Sequence, residues 1–252
     1  MENQFPQLYH THHSQRSEDI PFWLSLAGEY GGPVLELGCG TGRVLTPLVE
    51  AGFTVYGLDN DPDVLDFLHN NLPAKFESNA CVFLADMSAF HLAIEFPLIL
   101  MPCNTFSTLT RKARQDCLAC VYKHLSPGGA FVASLPNPLA LRDLPDYGAP
   151  EWEETLLDPG GGGPFQVSSE WNRRDDRFVV KWHYDLLLPD GRVQRLTAVA
   201  SHDLALREDY LVELERAGLR EVASYGSYTR TRYRASSTDM ILIARKETPA
   251  EF

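Results

Sequence analysis

Glu36, Gly38, Gly40 and Gly42 put an acid two places ahead of three glycines at alternate positions, in the run Val34-Leu35-Glu36-Leu37-Gly38-Cys39-Gly40-Thr41-Gly42-Arg43. Glycines in such a turn let the backbone approach a ligand closely, because no Cβ intervenes and positive φ is open to them. The apolar run Pro33 to Leu37 reads as a buried strand, and Arg43 to Ala51 has helical periodicity. The turn therefore opens a helix whose first N–H groups face the ligand. A dinucleotide loop would be G-x-G-x-x-G, which from Gly38 needs glycine at position 43, where Arg43 stands. Thr54 to Asp59 reads as a short strand ending in an acid, placed to accept hydrogen bonds from ribose hydroxyls. Asp61 then suits an N-cap and Pro62 the first helical position, and the helix through Val64, Leu65, Phe67 and Leu68 stops before Pro73.

The pattern E-x-G-x-G-x-G resembles motif I of the class I S-adenosylmethionine (SAM)-dependent methyltransferases. SAM brings an amino-acid end and a sulfonium cation but no pyrophosphate, and an acid beside the glycines suits its cationic end. The resemblance continues along the chain. Strand candidate Ala80–Leu84 leads to Asp86 and Met87, which match the family's adenine contacts. Phe96 to Cys103 looks like the fourth strand and motif IV, running into Asn104-Thr105-Phe106. A helix from Arg111 to Leu125, the turn Ser126-Pro127-Gly128-Gly129 and a fifth strand from Ala130 to Leu135 follow in the family's order. The likeness covers residues 33 to 136. It implies a cofactor site of Glu36, Gly38, Cys39, Gly40, Thr41, Gly42 and Arg43 from the loop, Asp59 and Asn60 after the second strand, Asp86 and Met87 after the third, and Pro102 and Cys103 after the fourth. In the family's small-molecule branch a leading segment with a tyrosine folds over SAM, a part that Tyr9 matches.

Composition agrees with an enzyme of the cytoplasm. The 252 residues are enough to bury a sizeable core, and the length lies between one domain and two. No apolar run approaches a membrane span, and the polar, His-rich start does not read as a signal peptide. Five cysteines at irregular spacing read as free thiols, with Cys117 and Cys120 half-buried on a helix rather than binding zinc. A net charge of −12 and the short basic run Arg230 to Arg234 disfavour a nucleic-acid substrate. So does Met101-Pro102-Cys103-Asn104, where base-modifying methyltransferases carry Asn/Asp-Pro-Pro-Tyr/Phe.

The elements expected to position these residues form an α/β, Rossmann-like doubly wound sheet of seven mostly parallel strands with the last strand antiparallel. A small antiparallel β insert covers the cleft. Residues 1–32 are read as an N-terminal lid segment and helix, and 33–136 as the SAM-binding core. Residues 137–205 are a loop and substrate cap, and 206–252 complete the core sheet. Pro136 to Pro164 reads as a flexible loop, followed by strands at 165–171, 178–188 and 192–202 with turns at 174–176 and 189–191. A helix over 207–217 ends at Gly218, and strands at 220–228 and 237–245 close the fold. The insert resembles the cap sheet of small-molecule N-methyltransferases acting on amino sugars or glycine.

These features point to a SAM-dependent methyltransferase, EC class 2.1.1, with a small-molecule acceptor methylated at an amine nitrogen. No catalytic acid or base is assigned and no metal is expected. His12 and His13 read as a solvated, partly mobile segment. Asn104, Phe106, His183 and Tyr184 are the substrate-facing candidates, although strand alternation keeps His183 and Tyr184 from pointing the same way. No membrane or nucleic-acid partner is expected, and a homodimer is left open. A SAM-binding module without turnover and a NAD-dependent oxidoreductase are the alternatives.

Overall fold

A computed structural model describes residues 4–174 and 176–246. Two helices, α1 (Phe5–His13) and α2 (Ile20–Tyr30), precede β1 (Val34–Leu37), α3 (Leu45–Glu50), β2 (Val55–Asp59), α4 (Pro62–Asn71), β3 (Ala80–Leu84) and β4 (Phe96–Met101). The short α5 (Thr105–Thr108), α6 (Arg111–His124), β5 (Leu125–Pro136) and α7 (Pro138–Arg142) follow. Four long strands come next: β6 (Tyr147–Asp158), β7 (Gly163–Arg174), β8 (Arg177–Leu187) and β9 (Val193–Asp203). The chain closes with α8 (Arg207–Arg216), β10 (Leu219–Tyr225) and β11 (Asp239–Lys246).

The main sheet has the order β3-β2-β1-β4-β5-β11-β10. Strands β1 to β5 run parallel, and β11 is antiparallel to both of its neighbours. This is the seven-stranded, mostly parallel sheet expected, with the last strand reversed. Its central strands are buried on both faces, so they read as unbroken apolar runs. Leu35, Leu37, Ile99 and Met101 face α6 and α8, while Val34, Leu98, Leu100 and Val132 face α2, α3 and α4. The Pro-Gly-Gly turn is a bulge at the entry to β5: Leu125 pairs with Phe96, Ala130 pairs with Leu98, and Ser126 to Gly129 loop out between them. Chain order reverses around β1, with β2 on one side and β4 on the other, which opens a crevice beyond the carboxyl ends of these strands.

A separate antiparallel sheet has the order β6-β7-β8-β9. Here the expectation of a flexible loop over 136–164 is corrected, because that stretch contains α7 and the twelve-residue β6. Gly148 and Pro150 hide the strand in the sequence. It is an edge strand with two register breaks, the one place in a sheet that tolerates such residues. The proposed turn at 174–176 includes Asp175, which lies outside the described residues. Arg114, buried on α6, fixes the far end of the insert to the core. Its guanidinium donates to Glu213 of α8 at 2.7 and 2.9 Å and to Asp203 of β9 at 2.7 Å.

The amino-terminal segment, expected to be solvated, is instead the docked helix α1. Phe5, Leu8 and His12 recur at helical spacing, and Leu8 packs with Phe165, Val167, Tyr184 and Leu186 of the insert. A nine-residue helix is marginal alone, so this packing holds it.

Candidate functional site

The three loop glycines sit at φ of +74°, +51° and +86°, the left-handed region where a side chain is strained. Space is also limiting. A Cβ on Gly38 would stand 2.9 Å from Thr105 and 3.4 Å from the Met87 methyl, and one on Gly42 only 2.4 Å from Leu68. The loop is thereby pressed between α4, α5 and the turn after β3. Gly40 donates its N–H to Asp59 Oδ2 at 2.9 Å, while Asp61 donates to Oδ1 at 3.0 Å. Burial raises the Asp59 carboxyl, and backbone N–H groups of Asp61, Gly40 and Asn60 oppose this. Asn60 is exposed beside it. Asp61 caps α4 through the N–H of Asp63 with Pro62 first in the helix, as its sequence position suggests.

Glu36 is buried on β1, and its Oε2 has no partner among the described residues. Burial pushes its carboxyl well above the usual range; Arg43 opposes this, while Asp59 and Asp19 add to it. A buried acid without a counter-charge at the mouth of the loop fits an ammonium group. Arg43 cannot serve that need, because both of its Nη atoms bind Asp19 at 2.7 Å. It also donates to Arg16 O and to Cys103 Sγ, at 2.8 and 3.0 Å. Asp19 in turn accepts from Trp23 Nε1 at 2.8 Å. Sequence reasoning missed Asp19; its spacing of four from Trp23 at the start of an apolar helix was the available signal.

Asp86 is exposed and accepts at Oδ1 from the N–H and hydroxyl of Ser88, both at 2.7 Å, which holds its carboxyl below the usual range and leaves Oδ2 free. Met87 lies between it and Gly38. At the end of β4, buried Pro102 precedes two consecutive left-handed residues, Cys103 and Asn104, at φ of +59° and +60°. Such backbone costs about 1–3 kcal/mol per residue and persists only where its surroundings enforce it. Here Ser107 Oγ donates to Asn104 O at 2.7 Å, and Asn104 N donates to Ser134 Oγ at 3.3 Å. Tyr228 also bonds Ser134. Asn104 Oδ1 is buried and unpaired. Cys103 is open to solvent yet densely surrounded, as in a deep concave cleft, and burial pushes its thiol up.

Helix α1 roofs this cleft. Burial pushes the Tyr9 phenol up to about 12, with Cys103 and Asp59 adding to the shift, so its hydroxyl is neutral and lies among the residues of the strand ends. His10 Nδ1 is 2.9 Å from Thr41 Oγ1, and its ring packs on Phe67. His12 reaches the insert, with Tyr184 Oη and Glu153 each at 3.2 Å. His13 packs between Tyr9 and Trp182, and burial lowers it to about 3. Among the described residues, no three His, Cys, Asp or Glu side chains gather as metal ligands.

Of the substrate-facing candidates, Asn104 lies at the strand ends. Phe106 is 1% exposed and packs in the core against Phe131 and Tyr210. Tyr184 faces α1, and His183 takes the opposite face, 2.9 Å from Thr197. A residue the sequence did not single out, His202 on β9, is buried and 2.9 Å from Ser107 Oγ; burial lowers it to about 4, and Arg177 adds to this. A separate cavity of about 250 Å³ lies behind the loop and shares Thr41, Gly42 and Arg43 with it, but none of Glu36, Asp59, Asp86 or Cys103.

Comparison with known proteins agrees with this architecture. Residues 34–129 match the family model described as a methyltransferase domain. A glycine/sarcosine N-methyltransferase of Aphanothece halophytica is 24% identical over 247 residues, covering 93% of this chain and 84% of the relative. A SAM-dependent methyltransferase from Clostridium acetobutylicum superposes with a TM-score of 0.80 at 15% identity, covering 98% of this chain and 100% of the other. The SAM-bound amino pentose methyltransferase CalS10 of Micromonospora echinaspora gives 0.72 at 19% identity, covering 96% and 97%.

Proposed function

We propose that this chain, a class I SAM-dependent methyltransferase by its motifs, its fold and its family match, transfers the methyl group to an amine nitrogen of a small molecule. The observation that carries the reading is the convergence of Glu36, the glycine loop, Asp59, Asp86 and the Cys103–Asn104 turn at one crevice, with a buried unpaired carboxylate at its mouth. The relatives named as N-methyltransferases of glycine, sarcosine or an amino pentose support nitrogen as the atom methylated. Five unpaired thiols support a reducing, cytoplasmic setting.

SAM, when bound, supplies a methyl already activated by its sulfonium. The chain's own residues then bind, orient and exclude water. Glu36 receives the ammonium, Asp59 the ribose hydroxyls, and Asp86 with Met87 the adenine; Tyr9 covers the crevice. Asn104 Oδ1 accepts an N–H of the acceptor amine, which aims the nitrogen lone pair at the methyl. Placing the nucleophile at ~3–3.5 Å in a closed site supplies much of the rate. The nearby buried imidazoles, His13 at about 3 and His202 at about 4, are weak bases. The amine must attack in its neutral form, so kcat/KM should rise with pH through the acceptor's own pKa.

Calorimetric titration with SAM tests the cofactor: Asp59→Ala should weaken binding about tenfold or more. Release of S-adenosylhomocysteine with a panel of amines then separates an enzyme from a module that binds SAM without turnover. Heat with NAD and none with SAM would reject the reading.

A further inference from the structure

On the strength of the methyl-transfer reading, we infer that the end of the insert sheet nearest Ser107 holds an anion subsite of the acceptor pocket. Trp171 and Arg173 there receive a carboxylate or phosphate carried by the amine substrate.

Among the described residues, two of the buried polar side-chain atoms without a partner lie toward one end of β7: Trp171 Nε1 and Arg173 Nε. Both are donors. A buried N–H left without an acceptor is costly, and a pair of donors is what an oxygen-rich ligand would satisfy. Trp171 and Arg173 are two residues apart and so share a face of β7. Phe165 and Val167 lie on that face and pack with Leu8 of α1, so it is the face turned to the cleft.

The surroundings keep these donors free. Gly148 pairs with Trp171 in register, and a Cβ there would stand 2.3 Å from the indole, so the bare backbone is what gives the ring its place. Asp146 is exposed and binds Arg173 through Nη2, leaving Nε. Asp203 is taken by Arg114 and by the N–H of Ala205. Arg142 lies at the same end, where it donates to Leu204 O. Arg142, Arg173, Arg174 and Arg177 thus gather at one end of the insert in a chain of net charge −12. His202, Phe178 and Arg173 are neighbours in register across three strands, which puts Arg173 ~10 Å from the histidine that bonds Ser107. Ser107 in turn holds Asn104, whose unpaired Oδ1 is an acceptor suited to N–H. The pocket is therefore polarised: an acceptor where the amine is methylated and donors farther along the sheet. The substrate class that matches is an amine bearing an anionic group.

The test titrates the protein, with and without S-adenosylhomocysteine, with acetate, inorganic phosphate and pyrophosphate, followed by tryptophan fluorescence and calorimetry. Saturable oxyanion binding is expected, weakened about tenfold by Arg173→Gln and again by Trp171→Phe, with S-adenosylhomocysteine affinity unchanged. The phenyl ring keeps the packing on Gly148, so Trp171→Phe remains a second variant if Arg173→Gln does not fold. Preference for acetate points to a carboxylate on the acceptor, and preference for phosphate or pyrophosphate to a phosphorylated one. Absence of saturable oxyanion binding, or binding that neither of these variants weakens, overturns the subsite while S-adenosylhomocysteine binding keeps the methyl-transfer reading alive. Arginine-dependent oxyanion binding by a protein that does not take S-adenosylhomocysteine supports the subsite and removes that reading instead.

Discussion

The two banks of the cleft satisfy their polar groups in opposite ways. On the strand-end bank, Asp59 is oriented by two backbone N–H groups and Arg43 by both oxygens of Asp19, while the loop glycines are hemmed in by Thr105, Met87 and Leu68. On the insert bank, Trp171 Nε1 and Arg173 Nε are buried without a partner. The first bank is pre-organised for one ligand shape. The second keeps unmet donors, which the proposed subsite turns toward an anionic group of the acceptor.

The largest effect that would sharpen this contrast comes from Asp19→Ala. Removing one partner of a buried ion pair strands Arg43 and should cost about 3–5 kcal/mol, seen as a lowered denaturant midpoint. An unchanged midpoint would show that the strand-end bank is not held by this pair. Gly38→Val comes next. Its side chain would meet Thr105 in a left-handed backbone, and SAM affinity should fall about a hundredfold, or ~2.7 kcal/mol, in calorimetry. Full affinity would mean that the loop gives way more easily than its neighbours suggest.

Acidification should act on α1 and the insert first. Burial lowers His10, His12, His13 and His202, so below pH ~6.5 the unfolded or undocked form binds more protons than the folded one. The stabilisation is complete above that pH and drains away as pH falls toward about 4 for His202 and about 3 for His13. Hydrogen exchange should therefore show the α1 amides opening before those of β1 and β4, and simultaneous opening would erase the distinction between the banks. The smallest effect is fractional. Burial raises the Glu36 carboxyl well above the usual range, and an arriving ammonium favours its ionised form. SAM binding near neutral pH should release protons, read as an apparent binding enthalpy that varies with buffer.

The strand-end bank was legible because its chemistry is local. Glycine at 38, 40 and 42 answers to backbone angles a sequence can reveal, and Asp61-Pro62 announces a helix start three residues after a strand. The insert depends on distant partners. β6 is an edge strand whose Gly148 makes sense only against Trp171, 23 positions later in the chain, and whose alternation is broken by bulges. α1 owes its order to Leu8 and His12 packing on a sheet more than 140 residues away, so its histidines looked like a solvated tract. Phe106, beside the reactive turn in sequence, proved to face the core, because α5 turns it toward Phe131 and Tyr210.

Helix α1 grips Thr41 on one bank through His10, and Glu153 with Tyr184 on the other through His12. Nine residues therefore tie the glycine loop to the insert sheet. Thermodynamic reciprocity follows from such a tie: if cofactor binding steadies α1 and thereby raises acceptor affinity by some factor, the acceptor must raise cofactor affinity by the same factor.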